Sequence, residues 1–127
     1  MSLIVQKYGG TSVGSVERIE AVADKIAAFC EKGHEVVVAV SAMSGETNRL
    51  INLAQEVNDN PNRRELDVLL STGEQVSISL LCMALNKRDI QAKSYTGHQV
   101  RILTDNAFGK ARIKDIDSKK IFADLKA

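Results

Sequence analysis

Apolar and polar positions alternate between two periods along the chain. Leu3 to Tyr8 is short, apolar and partly β-branched, which predicts a strand. Gly9-Gly10-Thr11-Ser12-Val13-Gly14 breaks it as a glycine-rich turn. From Ser15 the period becomes helical: Val16, Ile19, Val22, Ala23, Ile26, Ala27 and Cys30 share one face. Ser15 is placed to cap this helix and Gly33 to close it. Glu35 to Val40 contains the unbroken run VVVAV, the pattern of a strand covered on both faces in a parallel sheet.

After the turn Ser41-Ala42-Met43-Ser44-Gly45, a second helix is expected over Glu46 to Val57, with Leu50, Ile51, Ala54 and Val57 inward. Asn58 to Asn62 reads as a loop. Arg64 to Leu70 looks helical, Ser71-Thr72-Gly73 is read as an interruption, and a further helix over Glu74 to about Lys87 is apolar on most sides. Strands are expected at Ile90 to Tyr95 and Ala111 to Ile116, then a helix over Ser118 to Leu125 capped by Ser118. The order β-α-β-α-α-β-β-α predicts an α/β layered fold with a mainly parallel sheet. No linker or repeat divides the chain, so 1–127 is expected to be one unit.

Composition changes this picture little. A net charge of +1 gives no bulk attraction to a polyanion, so no nucleic-acid partner is expected. The longest apolar stretches are judged too short to cross a bilayer, and the first residues lack the pattern of a signal peptide. Cys30 and Cys82 sit in apolar helical patterns without CxxC spacing, the usage of reduced thiols in a cytoplasmic protein. His34 and His98 stand apart from any ligand cluster, so no metal site is expected.

The chemistry is expected at three polar turns, because ligands of an open parallel sheet bind at the carboxyl ends of its strands. In Lys7-Tyr8-Gly9-Gly10-Thr11-Ser12, two glycines let backbone amides approach an anion, and Lys7 adds a full charge. The same residues also suit a tight turn with a solvated lysine. The loop is neither a Walker A loop nor GxGxxG. In Ser41 to Thr47, Ser44 suits a helix N-cap. Thr72-x-x-Gln75 has the form of a capping box, which would put Glu74 in a first helical turn with its carboxylate free for a ligand ammonium.

Taken together, VQKYGGTSVGS, VVVAVSAMSGETNRL, LLSTGEQVS and the later KSYTGHQV and ARI resemble, in order and spacing, the aspartate kinases of the amino acid kinase family. The likeness spans essentially the whole chain. It implies a three-layer α/β/α sandwich with a mainly parallel sheet, and ATP-dependent phosphorylation of the L-aspartate β-carboxylate with Mg²⁺ carried on the nucleotide. By resemblance Lys7 is catalytic. Lys7, Tyr8, Gly9, Gly10, Thr11, Ser12 and Ser41 would lie about the transferring phosphate, and Thr47 and Glu74 would hold aspartate. Members of this family are much longer: the rest of the nucleotide lobe and paired ACT-type regulatory domains have no counterpart here. The chain is therefore expected to be the truncated front part of such an enzyme, inactive alone, from a cytoplasmic homo-oligomer. Kinases for glutamate or a carbamate, a non-catalytic nucleotide-binding module, and a ligand-free α/β piece are the competing readings.

Overall fold

A computed structural model describes residues 1–126. β1 (Leu3–Tyr8) and β2 (Glu35–Val40) form a parallel pair with Leu3 opposite Glu35 and Tyr8 opposite Val40, so both carboxyl ends finish level. They are joined by a 3-10 turn (Gly10–Val13) and α1 (Val16–Glu31). Ser15 caps α1 as expected, its Oγ accepting the Arg18 N–H at 3.2 Å. At the other end, Gly33 at φ 85° closes a Schellman turn, its N–H donating to the Cys30 carbonyl and that of His34 to Phe29.

α2 (Glu46–Val57) and α3 (Arg63–Lys87) follow. Ile19, Val22, Ala23 and Ile26 of α1 meet Leu81, Ala84 and Leu85 of α3, and Tyr8, Val36, Val38 and Val40 press on this cluster from one face of the strand pair. Each Val, Leu or Ile side chain fully removed from water in this cluster contributes about 1.5–3 kcal/mol. Arg88, just past α3, ties the two helices polar side to polar side: it donates to Glu20 and Asp24 of α1 and to the Ala84 carbonyl. The other face of the strands is open, with Val5 70% exposed. Among the described residues only one helical layer covers the parallel pair.

Three expectations change. First, residues 64–70 and 74–87 belong to one 25-residue helix, not two. Its cap is Asn62, whose side chain accepts the Arg64 and Glu65 N–H groups. The Ser-Thr-Gly triplet does not break it, because the Ser71 and Thr72 hydroxyls donate to the Val68 and Leu69 carbonyls one turn back. The proposed capping box at Thr72 therefore does not form, and Glu74 lies in mid-helix. The single helix is also, by length and composition, long enough to cross a membrane, contrary to the sequence expectation. It carries a buried stripe of Gly73, Ser77, Leu81, Ala84 and Leu85 packed within the fold.

Second, Ile90–Tyr95 is not a strand. Its alternation is met by packing, since Ile90 and Ala92 join the α1–α3 cluster. The ammonium groups of Lys93 and Lys120 lie over the Tyr95 ring, 5.6 and 5.3 Å from its centre. Third, the later strands are β3 (Ile102–Thr104), which the sequence did not reveal, and β4 (Ile113–Ile116), two residues shorter than expected. They form an antiparallel pair with a bulge at Leu103/Thr104, separate from β1 and β2. α4 (Lys119–Lys126) completes the described chain.

Candidate functional site

Two of the polar segments are turns and the third, around Gly73, is the interior of α3; they meet at the carboxyl end of the β1–β2 pair. The level strand ends place Ser41 beside Tyr8, and the Ser41 N–H donates to the Tyr8 carbonyl at 3.1 Å. The glycine-rich turn then folds against the turn after β2. A Cβ on Gly10 would stand 3.1 Å from the Ala42 carbonyl oxygen, and one on Gly14 would stand 3.3 Å from Ser44 Cβ. The third segment closes from the helix side: a Cβ on Gly73 would stand 3.0 Å from Ala42 Cβ and 3.5 Å from Glu46 Cγ. Ala42, buried, is the point on which all three converge.

Lys7 sits opposite Ala39 and alternates with Tyr8, so it stands on the open face of the strands, exposed. Tyr8 points the other way, into the α1–α3 cluster, with its hydroxyl donating to Gln6 at 2.8 Å. Burial pushes its phenol above the usual tyrosine range. Only its backbone is placed for the site. Gly9 is extended at φ −78° and ψ 174°, with no atom of the chain within 4 Å of where a Cβ would be. Gly9 is thus small for no reason internal to the described chain, whereas Gly10 is small because the Ala42 carbonyl lies against it. Thr11 and Ser12 lie in the 3-10 turn, where the Ser12 N–H donates to the Gly9 carbonyl.

Thr47 is exposed in the first turn of α2. Ser44 does not cap that helix: the cap is Gly45 at φ 80°, with no side-chain cap bond, and of the first-turn amides that of Glu46 donates to the Met43 carbonyl at 3.0 Å. Glu46, also in this turn, is held by Arg49 through bonds of 2.6 and 3.1 Å. The hydrogen bonds from Arg49 keep the Glu46 carboxyl below the usual carboxylate range. Glu74 follows Gly73 directly on α3 and is exposed. Among the described residues neither Lys7 nor Glu74 is engaged in an ion pair of the chain.

Sequence reasoning missed two residues here. Arg49 orders the α2 entrance. Ser77, fully buried, donates its hydroxyl to the Ser41 carbonyl at 2.8 Å. A Glu-x-x-Arg pair at helical spacing could have signalled the first. The second spans 36 residues and leaves no local trace. A cavity of about 670 Å³ is lined by Asn62–Glu65, Ala107, Phe108 and Lys110 and includes none of the candidate residues. Among the described residues no three His, Cys, Asp or Glu side chains gather in a way that could hold a metal ion.

A parallel βαβ unit whose strand-end turns are rich in glycine and small hydroxyls is a frame on which small-anion sites are commonly built. The sequence model of the amino acid kinase family matches residues 2–127, and the chain belongs to that family. Within it, the chain is 67% identical over 127 residues to the aspartokinase of Pseudomonas aeruginosa, covering 100% of this chain and 31% of that protein. It is 65% identical over 126 residues to the aspartate kinase of Pseudomonas putida, covering 99% and 31%. Aspartokinase 2 of Bacillus subtilis is 56% identical over 118 residues, covering 93% and 29%. The crystal structure of aspartate kinase from Synechocystis superposes with a TM-score of 0.74 at 59% identity, covering 77% of this chain and 17% of that one. The α/β fold expected from the sequence is thereby shown. The chain spans about a third of the length of the curated relatives it matches.

Proposed function

We propose that this chain is the aspartate- and phosphate-binding part of an aspartate kinase, which transfers the γ-phosphoryl group of ATP to the β-carboxylate of L-aspartate and forms 4-phospho-L-aspartate. The observation that carries the reading is the convergence on Ala42 of the lysine–glycine turn, the uncapped α2 entrance and the Gly73-Glu74 segment. One contributes a cation and bare amides, the second further amides, and the third a carboxylate not spent on an internal pair. The relatives named aspartate kinase favour aspartate over glutamate or a carbamate.

The chemistry follows from charge. An aspartate side chain has a reference pKa of about 3.9, so the nucleophile is already ionised at neutral pH and requires no general base. The obstacle is one anion approaching another. Lys7 and the Gly9 and Gly10 amides would reduce that repulsion and stabilise charge as it develops on the transferring group. Mg²⁺ carried on ATP supplies further positive charge at the phosphates. Thr47 and Glu74 would hold aspartate, with Glu74 taking the α-ammonium. The product commits aspartate to the lysine, threonine and methionine branch of amino acid synthesis. A cytoplasmic setting accords with two free cysteines, and α3 acts as a packing helix rather than a membrane span. Association with a second copy accords with the open strand face around Val5.

Two results test this. In the complete enzyme, Glu74→Ala should raise the aspartate KM by about 10–100-fold with a smaller change in kcat, because a recognition contact is lost. A fall in ATP affinity with aspartate affinity intact would remove Glu74 from the role. The 127-residue chain by itself should show no ATP- and aspartate-dependent ADP release in a coupled assay, since on this reading the nucleotide half of the site would belong to the part of such an enzyme that the chain, at 31% of the length of its Pseudomonas aeruginosa relative, does not span. Turnover by the chain alone would refute the division of the site.

A further inference from the structure

We propose that Ser77 is a positioning residue that fixes the distance between the phosphate end of the site and the helix carrying Glu74. The inference rests on the aspartate kinase reading above.

Hydroxyls inside helices usually donate back to their own helix, as Ser71, Thr72 and Ser79 of α3 all do. Ser71 and Thr72 are exposed and Ser79 is half-buried. Ser77 is fully buried. It has one proton and two carbonyls in reach, Ser41 at 2.8 Å and Glu74 at 3.1 Å. The shorter contact leaves the helix. Ser41 in turn donates its N–H to the Tyr8 carbonyl at 3.1 Å. A hydrogen-bonded line therefore runs from the end of β1, through the turn after β2, into the turn of α3 that follows Glu74. One end of this line carries Lys7 and Gly9, and the other carries Glu74.

The geometry gives that line a kinetic meaning. Phosphoryl transfer between two bound anions needs the reacting atoms about 3–3.5 Å apart, and a displacement of about 1 Å costs on the order of 10²-fold in rate. Ser77 acts on that separation through Ser41 and α3, not through a substrate. Removing its hydroxyl leaves the Ser41 carbonyl without its side-chain donor, and the turn is then free to shift relative to Glu74.

The test is Ser77→Ala in the complete enzyme, with Ser79→Ala as a control on the same helix. Ser77→Ala should lower kcat by about 10–100-fold while the KM values for aspartate and ATP stay within about twofold. Backbone amides of residues 41–45 should exchange hydrogen faster, with those of α1 unchanged, and Ser79→Ala should match the parent in every measurement. A kcat within about twofold of the parent overturns the proposal, as does a rise in one KM with kcat retained, which would make Ser77 part of a binding pocket. If Ser77→Ala does not accumulate folded, Ser77→Cys keeps a weak donor in similar volume and should give an intermediate kcat; a parent-like kcat overturns the proposal. Absence of aspartate phosphorylation by the parent would sink the kinase reading, while the exchange comparison would still decide whether Ser77 holds the turn.

Discussion

Lys7→Ala in the complete enzyme should lower kcat by about 10²–10⁴-fold, the loss expected when one preorganised charge contact to a transition state is removed. The fold should be untouched. Lys7 stands on the open face of β1, exposed, and forms no ion pair among the described residues, so deleting its ammonium strands no partner. Backbone pairing to Ala39 in the neighbouring strand does not depend on the side chain. Circular dichroism and melting temperature should therefore match the parent while turnover collapses. Lys7→Arg keeps the charge but spreads it over a planar fork, and should restore only part of the rate. An effect confined to the aspartate KM would show that the lysine recognises the amino acid and not the phosphoryl group.

The parts of this molecule that were legible in the sequence are those fixed by short-range rules. The β1–α1–β2 unit was readable because its strand pattern, its Ser15 cap and its Gly33 closure are each decided within a few residues. The two turns that follow β1 and β2 were readable as glycine and hydroxyl clusters between periodic segments. What escaped was decided at long range. The Ser71-Thr72-Gly73 triplet looks like a breaker locally, yet the helix continues because both hydroxyls find carbonyls one turn back and Gly73 is needed where α3 meets Ala42. Ile90–Tyr95 has strand chemistry but finds no ladder among the described residues, and packs Ile90 and Ala92 on the core instead. β2 reads as buried on both faces, whereas among the described residues only one face is covered. Burial on both sides belongs to the pattern of a larger sheet, consistent with the extra length of the relatives.

The same distinction between local and distant demands sets the second large effect, which falls on stability. Gly73→Val should destabilise the chain by about 3 kcal/mol or more, although valine is the better helix former by a few tenths. A Cβ at this position would meet Ala42 Cβ at 3.0 Å, and Glu46 Cγ and Leu50 Cδ1 lie 3.5 and 3.6 Å away to receive the branch. Ala42 has little freedom to retreat: it is buried, and the preceding residue is held by Tyr8 on one side and Ser77 on the other. Gly73→Ala adds only the Cβ and gains about 1 kcal/mol of helix propensity, so its net loss should be smaller, about 0–2 kcal/mol. Gly9→Ala is the contrast. Its backbone angles suit alanine and the Cβ meets nothing, so stability should stay within about 0.5 kcal/mol of the parent. On the proposed reading, Gly9→Ala should still lower turnover in the complete enzyme, because the methyl group would stand where the phosphoryl group has to come close. Urea unfolding of the chain followed at 222 nm would rank the three, with midpoints falling in the order Gly9→Ala, Gly73→Ala, Gly73→Val. A Gly73→Val chain as stable as the parent would mean that α3 does not press against Ala42, and the convergence of the two turns and the helix on that residue would fall with it.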